Sequence, residues 1–277
     1  MSRLFYRHRL PVRILHWINV LSFFLMLMSG LGIFNAHPHL YWGVDSDFEA
    51  PLLSITARPG PDGEPQGITQ VGRHVFDTDG VLGASRVGGE ARKTERAFPS
   101  WATIPGRQYL ATARNWHLFF AWIFVLNGLV YVAYTVLGGH LRRDLVPHRS
   151  ELRGIGRSLR DHLLLRHPAG EAAKRYNVLQ NLSYLVVIFV LLPLIVVAGL
   201  GMSPRMDALF GGWVGILGGR QSARTLHFAA ACLLLAFVAV HVFEVIVSGL
   251  WNNLRSMITG YYRLPEQGNE AREERTP

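Results

Sequence analysis

A single cysteine, Cys232, occurs in 277 residues. That scarcity excludes an internal disulfide, a cysteine-ligated iron-sulfur cluster and the Cys-x-x-Cys-His attachment of a c-type haem. Charge is scarce too: 17% of the residues are charged, against 49% hydrophobic. Acidic side chains are the rarer sign, 19 against 28 basic, and within the long apolar runs Glu244 stands as the only one. The net charge of +9 does not point to nucleic acid, because the arginines flank apolar blocks, as membrane topology requires of them. Apolar residues are gathered in blocks rather than spread with a soluble helix period, which makes the chain an integral membrane protein in a lipid bilayer.

Four blocks are long enough to cross a bilayer, at residues 14–34, 116–137, 182–201 and 226–250. The fold class expected is therefore all-α, an integral membrane four-helix bundle forming a single domain over 1–277, with a long extracytoplasmic loop, 35–106, between helices 1 and 2. The first block is too long for a signal-peptide core and has no small-residue cleavage site after it, so it reads as a retained span. Arg3, Arg7, Arg9 and Arg13 precede it, and residues 138–177 carry Arg142, Arg143, Arg149, Arg153, Arg157, Arg160, Arg166, Lys174 and Arg175. By the positive-inside rule both segments face the cytoplasm, as do the N- and C-termini, in a bacterial cytoplasmic (inner) membrane. Leu152, Leu159 and Leu163 recur at roughly helical spacing, so the basic loop is expected to hold an amphipathic helix on the inner surface. Pro193 is expected to kink the third span without breaking the crossing. Ser29, Gly30 and Gly32 allow close helix approach in the first.

Residues 35–106 are rich in Gly, Pro and charge and read as a loop or small cap. Their aromatic ends, HPHLYWG and FPSWATIP, are expected to pack on the membrane surface, and Trp42 and Trp101 to lie against a partner or lipid. His37, His39 and His74 read as solvated loop histidines, the spacing His-Pro-His being a weak metal signal.

Histidines inside spans demand more. His227 and His241 are fourteen residues apart on one apolar helix, which at about 100° per residue leaves both on nearly one face, about 21 Å apart along the axis. Each could simply hydrogen-bond a neighbouring helix. As iron ligands, each would need a partner at its own depth. Chain direction and loop charge supply them: His117 joins His227 at the outer depth, and His16 joins His241 at the inner depth. The reading is two non-covalent b-type haems, each held by two histidines whose second ring nitrogens bond a carbonyl or carboxylate. His140, His148, His162 and His167 read as solvated among the arginines of the inner loop.

This pattern of four spans with histidines at the ends of the first, second and fourth resembles the bacterial cytochrome b561 superfamily. That superfamily includes the b-type subunits of nickel-iron hydrogenases and the gamma subunit of formate dehydrogenase. The stretches WHLFFAWIFVLNGLVYVAY, GGHLRRDLVP, RYNVLQNLSY, GGRQSARTLHF and RSMITGYY resemble the thiosulfate-reductase-type cytochrome b group within it. The resemblance implies haem ligands at His16, His117, His227 and His241. It also implies electron exchange between membrane quinone, an exchangeable substrate, and an extracytoplasmic redox enzyme, in the nearest group a molybdopterin oxidoreductase. The loop 35–106 departs from the smaller hydrogenase and formate-dehydrogenase subunits, and it is where such a partner is expected to dock.

Arg220, Gln221, Ser222 and Arg224 precede the outer ligand by three to seven residues and are placed to meet haem propionates, with Arg13 and Arg255 in the same role on the inner side. Glu244, one turn beyond His241, and Asn19, three residues from His16, are candidate quinone contacts. No catalytic residue is expected, since substrate chemistry would belong to the partner. Association of copies of the chain is left open. The alternative reading is a proton-relaying transporter or channel using the same histidines, although inverted repeats and broken-helix pairs are missing from the sequence.

Overall fold

A computed structural model describes residues 4–139, 141, 146, 147, 154–156, 160 and 178–263. Most of the basic connection after the second span lies outside the described residues, including Leu152, Leu159 and Leu163 of the expected surface helix and His140, His148, His162 and His167. The described chain is mostly helical and has four helices long and apolar enough to cross a membrane. These are α1 (Leu10–Phe34), α2 (Leu110–Leu137), a third made of α3 (Val178–Val186) and α4 (Leu192–Gly201) joined through a π-helical turn at Val187–Leu191, and α6 (Arg220–Val247). Each begins four to six residues before the apolar block that announced it, since backbone hydrogen bonding runs on into interfacial residues that hydropathy does not register. The irregularity expected at Pro193 takes the form of the π turn just before it, where the missing proline N–H breaks the regular ladder. Helix α6 ends at Val247, before a turn at Ser248 and Gly249, the latter at φ +107°, short of the expected residue 250. Large side chains along α2, such as Phe119, Trp122 and Leu129, are exposed, as lipid-facing residues of a span should be.

The described chain falls into two compact units. The first takes in 18–127 and 193–232. It contains the segment read as a loop or small cap, which is a folded cap. Strands β2 (His39–Leu40), β3 (Leu53–Pro59), β4 (Pro65–Val71) and β5 (His74–Asp77) form an antiparallel sheet in the order β2-β3-β4-β5, and β6 (Ala84–Ser85) pairs with β7 (Thr94–Glu95). The glycines and prolines that suggested a loop are its turns and close approaches. A Cβ on Gly67 would lie 1.9 Å from the oxygen of Leu82, so the return strand crosses the sheet only over glycine. Phe34, Leu40, Ile55 and Ala97 form a buried cluster, with Leu53, Leu82, Phe98 and Phe228 packed against it. The cap core is thereby continuous with the ends of α1 and α6. Asn35 holds residue 98 by two hydrogen bonds, donating to Phe98 O (3.2 Å) and accepting from Phe98 N (2.7 Å). Arg96, 2% exposed, donates to Phe98 O, Gly106 O and Thr103 Oγ1. In the spans of this unit, Gly32 would meet Ala113 at 3.4 Å and Gly201 would meet Ala223 at 2.9 Å if either bore a Cβ. Small residues there bring the helices together.

The second unit takes in 1–17, 128–192 and 233–277. Strand β1 (Leu4–Tyr6) pairs antiparallel with β8 (Tyr261–Arg263). The strand β8 follows α7 (Leu250–Thr259), which ends at Gly260 with φ +90°. Arg7 N donates to Gly260 O (2.8 Å), and Trp17 Nε1 to Met257 O (3.2 Å).

Candidate functional site

The four histidines singled out by the sequence form two pairs, one in each unit. In the first unit, α2 presents His117 and α6 presents His227, with ring centres 6.0 Å apart at 67°. His117 Nδ1 lies 3.0 Å from Met26 O on α1 and 3.3 Å from Ser29 Oγ, and His227 Nδ1 lies 2.8 Å from Ile195 O on α4. A carbonyl only accepts, so each Nδ1 carries the proton and each Nε2 is the available ligand atom. Two glycines make room for the rings. A Cβ on Gly30 would stand 3.3 Å from His117 Cε1, and one on Gly199 would stand 3.2 Å from Cε1 and Nδ1 of His227. Span three has no histidine, yet it contributes both the carbonyl and the glycine that set His227. Nothing in the sequence distinguishes these from the other small and aliphatic residues of that span.

In the second unit, His16 of α1 and His241 of α6 have ring centres 6.4 Å apart at 69°. Aromatic neighbours hold them. Phe237 stacks on His241 at 6.0 Å and 13°, Tyr184 meets the edge of Phe237, and Trp17 lies edge-on to His16 at 5.5 Å.

The remaining candidates are distributed differently. Ser222 is fully buried and joins α6 to the cap, accepting from Gly43 N at 2.8 Å and donating to Gly218 O at 3.0 Å. Gln221 reaches Ser46 Oγ (2.9 Å). Arg220 pairs with Asp207 (3.3 Å) of α5 (Pro204–Phe210) at an exposed position. Arg224 donates to His37 O and lies over the Phe34 ring. In the second unit Arg13 donates to Ile258 O. The main-chain oxygen of Glu244 accepts from Ser248 Oγ. Asn19 Oδ1 accepts from Asn127 Nδ2 at 2.6 Å, a bond between α1 and α2.

A family model described as prokaryotic cytochrome b561 matches residues 7–260. The chain belongs to the prokaryotic cytochrome b561 family. A b561 cytochrome is a membrane protein of electron transport that binds b-type haem, and the four apolar helices accord with that. A curated protein of Azospira oryzae, named as a candidate protein-methionine-sulfoxide reductase subunit, YedZ1, is 31% identical over 164 residues, which span 59% of this chain and 78% of that protein. No solved structure matches the chain.

The histidine pairs of this b561 chain suit a haem. Two imidazoles on opposite sides of one iron, each bonded through nitrogen at about 2.0 Å, put their ring centres about 6 Å apart. The observed separations are 6.0 and 6.4 Å. Glycine beside each ring of the first pair leaves the space that a side chain would fill.

Proposed function

We propose that this cytochrome carries two b haems, one between His117 and His227 and one between His16 and His241, and passes electrons between membrane quinone and a redox enzyme outside the cytoplasm. The observation that carries the reading is the spacing of the two pairs, each assembled from different spans at a separation that admits one iron. A haem held by two histidines would supply one-electron transfer, with the histidines binding and orienting it, so the chain serves as an electron-transfer subunit and a partner performs the substrate chemistry. His227 and His241 are fourteen residues apart in the sequence, and the reading assigns one haem to each side of the bilayer.

The likeness to a methionine-sulfoxide reductase subunit supports a reductase as that partner, and the family resemblance supports a molybdopterin enzyme. The basic segments at the N-terminus and after α2 put those ends in the cytoplasm, which leaves the cap outside, in reach of such an enzyme. Glu244 and Asn19 are the candidate quinone contacts, and Arg13 is a candidate partner for the propionates of the His16/His241 haem.

The deciding experiment is haem stoichiometry in purified protein. Two low-spin b haems per chain are expected. His117→Ala or His227→Ala removes one haem and leaves the other, and His16→Ala or His241→Ala does the reverse. Reporter fusions after Asp79 should be active outside the cytoplasm and fusions after Arg160 inside. An unchanged haem content and optical spectrum in the His117 variant would sink the pairing, and an outward signal at Arg160 would sink the orientation.

A further inference from the structure

The first residues of the cap are tied to the start of α6 more closely than a covering loop requires. Gly43 O accepts from the N–H groups of both Gln221 and Ser222 at 3.2 Å. Thr225 Oγ1 donates to Tyr41 O at 2.6 Å, one turn along the helix. The bonds from Gln221 and Ser222 consume N–H groups of the helix start that would otherwise draw an anion, so the α6 terminus itself is not an anion site. Side-chain donors are left over instead.

Tyr41 is 1% exposed, and its hydroxyl has no hydrogen-bond partner among the described residues. His39 Nδ1 is likewise buried without a partner. The two rings lie parallel, 2° apart in orientation with centres 6.2 Å apart, and Phe48 meets both edge-on from the outside. Arg224 completes the group. Its guanidinium is partly buried and gives one hydrogen bond to His37 O beside the Phe34 ring. The nearby carboxylates are engaged elsewhere, Asp47 by the N–H groups of Glu49 and Ala50 and Glu95 by Ala57 N. A cation and two orphaned polar groups, all withdrawn from water, lack the anion that would repay their burial. Arg224 stands one helical turn, about 4.5 Å of rise, before His227.

We propose that Arg224, Tyr41 and His39 form a carboxylate-binding site, and that its occupant is a propionate of the haem held by His117 and His227. The cap is then part of the haem site and not only a covering: Tyr41 and His39 donate to the propionate from outside the spans, and Arg224 supplies the charge. This assignment rests on the two-haem reading.

Its test uses the full-length holoprotein. In redox titrations resolved for the two haems, Arg224→Gln should favour the oxidised form of the His117/His227 haem about tenfold at the wild-type midpoint, about 59 mV for a one-electron couple. Tyr41→Phe should shift it roughly threefold in the same direction, and the His16/His241 haem should not move in either variant. Tyr41→Phe keeps the ring and the main-chain bond to Thr225, so it speaks even if Arg224→Gln fails to fold. In a second arm, full-length protein is loaded with haem or with its dimethyl ester. Wild type should prefer the acid at this site at least tenfold, and a variant combining Arg224→Gln with Tyr41→Phe less than threefold. A bound lipid phosphate or free anion in place of the propionate would leave the acid and ester equal in wild type, and that equality overturns the proposal. Two haems with unmoved midpoints refute the proposal alone. A single haem indifferent to His117 refutes the two-haem reading and the proposal with it.

Discussion

On the proposed two-haem reading, Gly199 offers a direct probe of how the spans prepare His227 as an iron ligand. An alanine there sets a methyl carbon 3.2 Å from both Cε1 and Nδ1 of His227, a few tenths of an ångström inside ordinary contact. The ring must give way, and its 2.8 Å bond to Ile195 O is the first thing strained. Losing that bond costs about 0.5–1.5 kcal/mol net, roughly a 2- to 10-fold loss of affinity for the haem of this pair. Helix propensity runs the other way, since alanine is better than glycine by about 0.8–1 kcal/mol in a helix interior. Thermal stability should therefore hold or rise while haem affinity falls, a split that general misfolding does not produce. Gly128→Ala is the control, because a Cβ there would meet nothing within 4 Å. Haem content by pyridine haemochromogen and the rate of haem transfer to an external acceptor are the assays, read alongside the His16/His241 haem as an internal standard. Equal behaviour of Gly199→Ala and Gly128→Ala, or loss of both haems together, would refute the idea that span three positions His227.

Two further predictions concern the cap. Arg96→Met removes three hydrogen bonds, to the oxygens of Phe98, Gly106 and Thr103, at a cost of about 3 kcal/mol. Amide exchange in β3 and β4 should accelerate on the order of 100-fold, and unchanged protection would show that Arg96 does not organise the cap. Asp79 accepts from Lys93 Nζ at 2.6 Å and from Gly67 N at 3.2 Å, which holds its carboxyl below the ordinary 3.8. A depressed carboxyl adds stability that is present above about pH 4 and is lost as pH falls through the lower folded value. Cap protection from acid-active protease should therefore decline from pH 4 downward, more shallowly in Asp79→Asn, and identical profiles would remove Asp79 from the account.

The spans and both histidine pairs were legible because membrane burial makes them conspicuous. Twenty apolar residues admit few structures, and a histidine among them needs a reason. The cap was not. Ser54, Thr56, Thr69 and Gln70 dilute the alternation of its strands, and the composition of 58–67 resembles a linker because the same glycines and prolines serve a linker and a tight hairpin. Gly199 and Ile195 were invisible for a different reason: glycine and isoleucine are ordinary in a span, and what singles these two out is a ring contributed by α6. Ser222 was singled out by its distance from His227, and a count along the chain cannot reveal that Gly43 sits across from it.

That contact has a consequence in time. Gly43 and Ser222 are 179 residues apart in the chain, and at roughly 5–20 residues per second of synthesis the first waits about 10–35 seconds for the second. For most of that interval the cap has been made but the helix start it clasps has not, so Tyr41, His39 and the ends of α1 and α2 stand as an unfinished seat. A nascent chain stalled before the last span would display that open seam, and closure of the seam reports that this span has arrived.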